Sequence, residues 1–367
     1  MSQRPRSPKR NGGITPLRRL VVMLLSAAAT LAVAAMLVAV WVVWSFQGPG
    51  PGAKSGDATT VMLRHGASLP EIASTLSHDG VIHSAPVFVA AAQITGAARA
   101  LKAGEYEFAS RASMASVLAD IRDGKIVRHQ ITIPEGRTSA MVVAALAAKT
   151  DLTGVAAAPP EGSILPETYQ YERGEDRSAV LRRMMDARDE LLASLWAKRQ
   201  PGLPFTTPEE AVTLASIVEK ETGKASERPR VAAVFINRLR QGIRLQSDPT
   251  IIYGLTQGEP LGRGIRASEL AAATPYNTYA INGLPPTPIA NPGRAAIAAV
   301  LDPPKTDELY FVADGTGGHV FASTLEEHNA NVAKWRSIER ARGAKAGDET
   351  SDLAGAPVDA PGVTVEQ

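Results

Sequence analysis

Two carboxylates, Glu219 and Glu221, stand near the end of a run of small and apolar residues, Ala215-Ser216-Ile217-Val218, with Thr222-Gly223 directly after them. The stretch from Pro208 to Thr222 reads as a helix. Thr206 or Thr207 suits the cap, Pro208 the first turn, and Glu209 and Glu210 meet the positive end of the dipole. Two steps along a helix rotate a side chain by about 200°, so the two acids face different ways. Glutamates at a helix end are ordinarily solvated charges. Here the small apolar residues before them imply a largely buried helix, and a carboxyl on its last turn then lies at the edge of a core. Burial favours the neutral form and raises the pKa, which is what a general acid needs near neutral pH.

A second helix is expected over Ser226–Gln241, apolar at Val231, Val234, Phe235, Ile236 and Leu239. Three polar segments broken by Pro and Gly follow: Leu245–Thr250, Thr274–Tyr279 and Gly283–Ile289. Polar loops set between helices are the material of a sugar-binding groove. A strand over Glu308–Ala313, a turn through Asp314–His319 and a helix through His328, Asn329 and Trp335 complete this half.

Other chemistries are poorly served. Among 367 residues there is no cysteine, which removes disulfides, zinc–thiolate sites and a thiol nucleophile together. A net charge of +2 and 5% aromatics argue against nucleic-acid binding. The six histidines show no metal-ligand spacing, and His319 and His328 are read as structural hydrogen-bonding groups. No HExxH, Walker A or GxGxxG motif occurs, and Ser216 with Lys220 lacks the spacing of a Ser/Lys nucleophile. No metal and no cofactor are expected.

The run Leu20–Phe46 carries no charge. As a helix it would reach roughly 40 Å, more than the roughly 30 Å hydrocarbon core, with Trp41 and Trp44 near its far end. It shows no polar face, unlike a core helix, and exceeds the apolar stretch of a signal peptide. Arg4, Arg6, Lys9, Arg10, Arg18 and Arg19 precede it without an acid, which keeps residues 1–19 in the cytoplasm. The expected order is therefore a basic tail (1–19), a retained transmembrane helix (20–46), and a flexible Gly/Pro linker (47–58). The remainder would lie outside the cytoplasm, beyond the cell (inner) membrane.

Residues 59–108 read as strand, helix, helix, strand, and a further helix, Met114–Ile121, and strand, Val127–Ile133, follow. This layout is similar to a LysM-like module, a small unit associated with chitin and peptidoglycan, and is bounded here at 59–135. An amphipathic helix is expected over Arg177–Lys198, and the tail 341–367 has the composition of a disordered segment.

The runs Ala215–Gly223 (ASIVEKETG), Ala225–Leu239, Leu245–Gly254, Ala273–Tyr279, Ile281–Gly293, Leu309–Phe321 and Glu327–Asn329 (EHN), with Leu101–Phe108 and Ile131–Gly136, together resemble the YceG-like endolytic murein transglycosylases. The resemblance runs from the anchor to about residue 340 and is thinnest over 150–205. It implies an α+β chain: a transmembrane helix, the LysM-like module, and a mixed catalytic domain (136–340) with a lysozyme/transglycosylase-like cleft. It implies a lytic cut of the β-1,4 bond between N-acetylmuramic acid and N-acetylglucosamine, leaving a 1,6-anhydro-muramyl end. The catalytic glutamate of the family matches Glu221, with Glu219 as runner-up. Gln246, Tyr276 and Asn277 resemble the Gln and Tyr-Asn elements of such folds, which implies substrate binding, and Asp248 joins them. One carboxyl suffices if the substrate's own 6-hydroxyl captures the anomeric carbon. An ordinary glycosidase would need a second, for which Asp248 is the best placed. The partners implied are peptidoglycan strands, the membrane and membrane-bound synthases. The rival reading from another class is a non-catalytic, membrane-tethered peptidoglycan-binding scaffold.

Overall fold

The computed structural model describes residues 16–349, and the side chains of 17–340. The expected basic positions Arg4, Arg6, Lys9 and Arg10, and the tail beyond Glu349, lie outside the described residues. The chain is a mixed α+β protein with an N-terminal apolar helix, and it divides into two compact units at Val127/Arg128.

The first unit begins with helix α1 (Pro16–Gln47), which is long and apolar enough to cross a membrane and is exposed along its length. Strand β1 (Ala58–Leu63), helices α2 (Leu69–His78) and α3 (Ala85–Ile94), strand β2 (Gly104–Ala109) and helix α4 (Met114–Asp123) follow. The strands pair antiparallel, Val61 opposite Tyr106 and Leu63 opposite Gly104. Their alternation sends Val61, Leu63, Tyr106 and Phe108 into a core with Leu76, Phe88, Val117 and Ile121. Ser68 and Glu71 close a capping box at the start of α2, which satisfies backbone donors left over by the first turn.

The Gly/Pro segment is not the loose tether its composition suggests. Phe46 packs against the core of this unit. The N–H of Gly50 donates to the carbonyl of Arg111 at 3.1 Å, and that of Arg111 to the carbonyl of Pro51 at 3.0 Å. The N–H of Ala53 reaches Ser110 Oγ at 3.0 Å. A backbone rich in Gly and Pro has little side chain to bury, but its carbonyls and remaining N–H groups pair with residues 110–111. Gly50 is required there, since a Cβ would fall on the Ala112 carbonyl oxygen.

The second unit runs through strand β3 (His129–Thr132), helix α5 (Ser139–Ala147), strand β4 (Thr168–Tyr171), and helices α6 (Arg177–Ala197), α7 (Pro208–Glu221), α8 (Arg228–Gln241), α9 (Asp248–Thr256), α10 (Ala267–Ala271) and α11 (Arg294–Leu301). The hairpin β5 (Tyr310–Ala313) and β6 (His319–Ala322) and helix α12 (Leu325–Glu349) close it. The helix α12 runs past Ala341, where the composition suggested disorder. Strand β3 pairs with β4, Ile131 opposite Tyr169, so the expected strand at 127–133 belongs to this unit and the boundary falls before residue 135.

At the centre lies α7, packed by α6, α8, α9 and α11. Thr207 caps it in a capping box with Glu210, and Pro208 opens its first turn. Every residue from Ala211 to Glu219 is buried, among them Leu214, Ile217 and Val218 in one core with Val231, Phe235, Ile297 and Val300. Each such side chain contributes on the order of 1.5–3 kcal/mol by leaving water. The helix stops at Thr222, whose backbone is extended.

Candidate active site

The two acids of α7 leave the helix in different directions and meet different partners. Glu219 is clamped: Arg228 Nη2 donates to its Oε1 at 2.8 Å and the N–H of Gly293 to its Oε2 at 2.9 Å. Arg228 Nη2 also reaches Glu135 Oε2 at 2.7 Å. Burial raises the pKa of Glu219, against the pull of Gly293 and Arg228. Its oxygens are taken up by the scaffold.

Glu221 opens on a cavity of about 310 Å³. The residue is only 9% exposed, and Ser247 Oγ donates to its Oε1 at 2.5 Å. Burial raises its pKa to about 7, Asp248 adding to the shift while Ser247 and Arg238 oppose it. At neutral pH the group is thus poised between acid and carboxylate.

The wall beside it is the corner Leu245–Asp248. Gln246 adopts a left-handed backbone, φ 52°, a conformation that costs a non-glycine residue and that the surroundings must enforce. They do so from Thr278, whose carbonyl accepts the N–H of Gln246 at 3.1 Å and whose Oγ1 accepts that of Ser247 at 2.9 Å. Thr250 Oγ1 ties to both Ser247 and Thr278. Asp248 is the first residue of α9, not a loop residue, and accepts the Tyr279 hydroxyl at 2.7 Å. Burial, with Asp248 beside it, pushes the Tyr279 phenol well above its ordinary value and keeps it a donor.

Gln246 and Asp248 therefore line the cavity with Glu221, whereas Glu219, Tyr276 and Asn277 do not. Asn277 is fully buried and spent on backbone. Its Nδ2 donates to the carbonyls of Leu270 and Ala272 at 2.8 and 2.7 Å, and its Oδ1 accepts the N–H of Tyr279. It braces the loop that presents Tyr279. Tyr276 packs on Tyr253 with ring centroids 5.1 Å apart and bonds Thr287.

Residues outside the expected set complete the lining. Buried Arg238 donates to the carbonyls of Leu309 at 2.6 Å and Leu245 at 2.8 Å, tying the hairpin to the corner. Tyr310, Phe311 and His319 come from the hairpin, and His328 and Asn329 from α12. His328 stacks on Tyr310 at 5.1 Å, and burial beside Arg238 lowers its pKa, leaving it neutral. From the sequence, His319 and His328 read as structural hydrogen-bonding groups, and both line the cavity. Nothing in the sequence pattern marked Ser247, Arg238 or Tyr279, which act only through distant partners. Among the described residues no cluster of His, Asp and Glu could hold a metal ion.

A buried carboxyl of raised pKa, opening on a cavity lined by tyrosines, histidines and amides beside apolar side chains, is the make-up of a proton-transfer site. The YceG-like family model matches residues 61–334, and the chain belongs to that family. A Bacillus subtilis (strain 168) protein named endolytic murein transglycosylase is 29% identical over 319 residues, 77% of this chain and 86% of that one. A protein of the same name from Streptococcus pneumoniae (strain D39) is 30% identical over 331 residues; these are 77% of this chain but 59% of the longer relative. A Listeria monocytogenes protein described as yceG-like, known from a crystal structure, is 29% identical and aligns over 75% of this chain and 99% of that one at a TM-score of 0.48.

Proposed function

We infer that this protein is an endolytic peptidoglycan lytic transglycosylase, a lyase of the cell wall, with Glu221 as its acid and base. The observation that carries the reading is the buried Glu221 carboxyl at the cavity wall, with its pKa near 7, in a chain whose relatives bear that activity in their names. The protonated Glu221 gives its proton to the oxygen leaving the muramyl anomeric carbon. As carboxylate it then takes the proton of the 6-hydroxyl while that oxygen closes onto the carbon, so that one group serves both steps. Gln246 and Asp248 bind the glycan and support the cationic ring, while Tyr276 and Asn277 act through the loop they brace. Glu221→Gln tests the assignment: isolated sacculi should release no anhydro-muramyl products, and their continued release would remove Glu221 from the role.

Asp248 lines the same cavity, which favours a muramidase-type hydrolase as the second reading. Mass spectrometry of the products separates the two, since a hydrolase leaves reducing ends.

In this reading α1 is a retained single-span anchor in the cell (inner) membrane, with Arg18 and Arg19 on the cytoplasmic side and both units outside. The first unit is a LysM-like glycan-binding module, and the second is the catalytic domain. Glycan emerging from membrane-bound synthases is then the nearest substrate, and cutting it limits strand length. A soluble version lacking residues 1–47 should fail to restore normal strand lengths in cells.

A further inference from the structure

The β5–β6 hairpin brings one histidine to the cavity that holds Glu221, and that histidine is oriented on one side only. His319 Nδ1 lies 2.7 Å from Glu227 Oε2, and the backbone N–H of His319 donates to Glu227 Oε1 at 3.1 Å. The ring stands edge-on to Phe311, centroids 5.3 Å apart. Glu227 precedes α8 yet makes no side-chain cap bond to that helix, so its carboxylate is directed at the histidine instead. Gly318 permits the approach, because a Cβ there would fall on Lys224 Nζ and Glu227 Oε1. Burial would raise the Glu227 carboxyl, but its bonds from His319 outweigh this and hold it below the ordinary value. It is therefore an acceptor. A neutral imidazole facing an acceptor carries its proton on Nδ1, which leaves a lone pair on Nε2. Among the described residues Nε2 makes no hydrogen bond, although His319 lines the cavity.

We propose that His319 Nε2 accepts a hydrogen bond from a donor group of the bound glycan, a sugar hydroxyl or an acetamido N–H, and that Glu227 is the positioning residue that fixes the imidazole tautomer. This rests on the reading that glycan occupies the Glu221 cavity. His319 then holds the sugar ring against the acid, and the dyad gives the site a second polar anchor beside the Gln246–Asp248 corner.

The test uses full-length protein carrying Glu221→Gln in detergent micelles, with ¹⁵N-labelled histidine and a tetrasaccharide of alternating N-acetylglucosamine and N-acetylmuramic acid. The expected spectrum shows Nδ1 protonated in the free protein and the Nε2 resonance of His319 moving on saturation. Repeating it with an analogue whose 2-acetamido groups are replaced by 2-O-acetyl esters, which lack the N–H, separates the donors: a shift with both assigns a hydroxyl, a shift with the acetamido form alone assigns the amide. In the active protein, His319→Phe keeps the aromatic packing and should lower kcat/KM roughly tenfold to a hundredfold at an unchanged melting temperature. Glu227→Gln, whose amide can donate to Nδ1, should switch the proton to Nε2 and lower activity likewise. Tetrasaccharide that binds without moving Nε2, or wild-type kcat/KM in His319→Phe, overturns the proposal. A tetrasaccharide that does not bind at all overturns the reading of the cavity, and this inference with it.

Discussion

The hydroxyl of Ser247 donates to Oε1 of Glu221 across 2.5 Å, from a corner whose backbone is held by Thr278. A donor stabilises the carboxylate, so Ser247 restrains a pKa that burial drives upward, whereas the neighbouring Asp248 drives it further.

Activity should follow the protonated fraction of Glu221, so kcat/KM is level below about pH 7 and falls as pH rises through that value. Ser247→Ala removes the bond to the charged form and should move this limb to higher pH, by about one unit. Asp248→Asn removes a like charge and should move it to lower pH. Limbs that shift together, or not at all, in the two pH profiles would sink the account.

Stability should carry the opposite mark of the same burial. A carboxyl whose pKa rises from 4.5 to about 7 on folding favours the folded state below the lower value. That contribution is lost as pH rises through the upper one. The difference is on the order of 3 kcal/mol. Glu221→Gln should therefore melt higher than the wild type at pH 8 and close to it at pH 4, which calorimetry reads directly.

Glu219 should behave as a structural acid. Glu219→Gln keeps an acceptor for the Gly293 N–H but loses the ion pair with Arg228. Arg228→Met leaves Glu219 buried and unpaired and should cost about 3–5 kcal/mol. Folded Glu219→Gln should still release anhydro-muramyl ends from sacculi. Loss of that product at an unchanged melting temperature would exchange the roles of the two acids.

The junction after α1 gives a third contrast. Gly50→Ala forces a Cβ onto the Ala112 carbonyl and should destabilise the first unit by about 1–3 kcal/mol. Gly52→Ala, where the nearest atom is Ser110 Oγ at 3.9 Å, should be tolerated. Limited proteolysis of residues 47–57 in the two variants distinguishes them.

Much of this was legible along the chain. The uncharged run that becomes α1, the Thr207–Glu210 start of α7 and the alternation in β1 and β2 depend on neighbours within a turn or a pleat. The tether was misread because its partners, Arg111 and Ser110, lie more than fifty residues on. Asn277 was expected to bind substrate because Tyr276-Asn277 resembles the Tyr-Asn element of lysozyme-like transglycosylase folds. It is buried because the Glu269–Ala272 turn offers carbonyls that its amide satisfies.

The acids of α7 show the division most plainly. Helical geometry alone requires Glu219 and Glu221 to point apart, and the small residues before them require burial at the end of that helix. Which one is consumed and which left open follows from groups contributed by other segments. Arg228 and the Gly293 N–H converge on Glu219, while the corner at Ser247, the β5–β6 hairpin and α12 leave a cavity around Glu221. Local periodicity decides a side chain's direction. Its protonation depends on dielectric and partners, and these exist only once distant segments have packed.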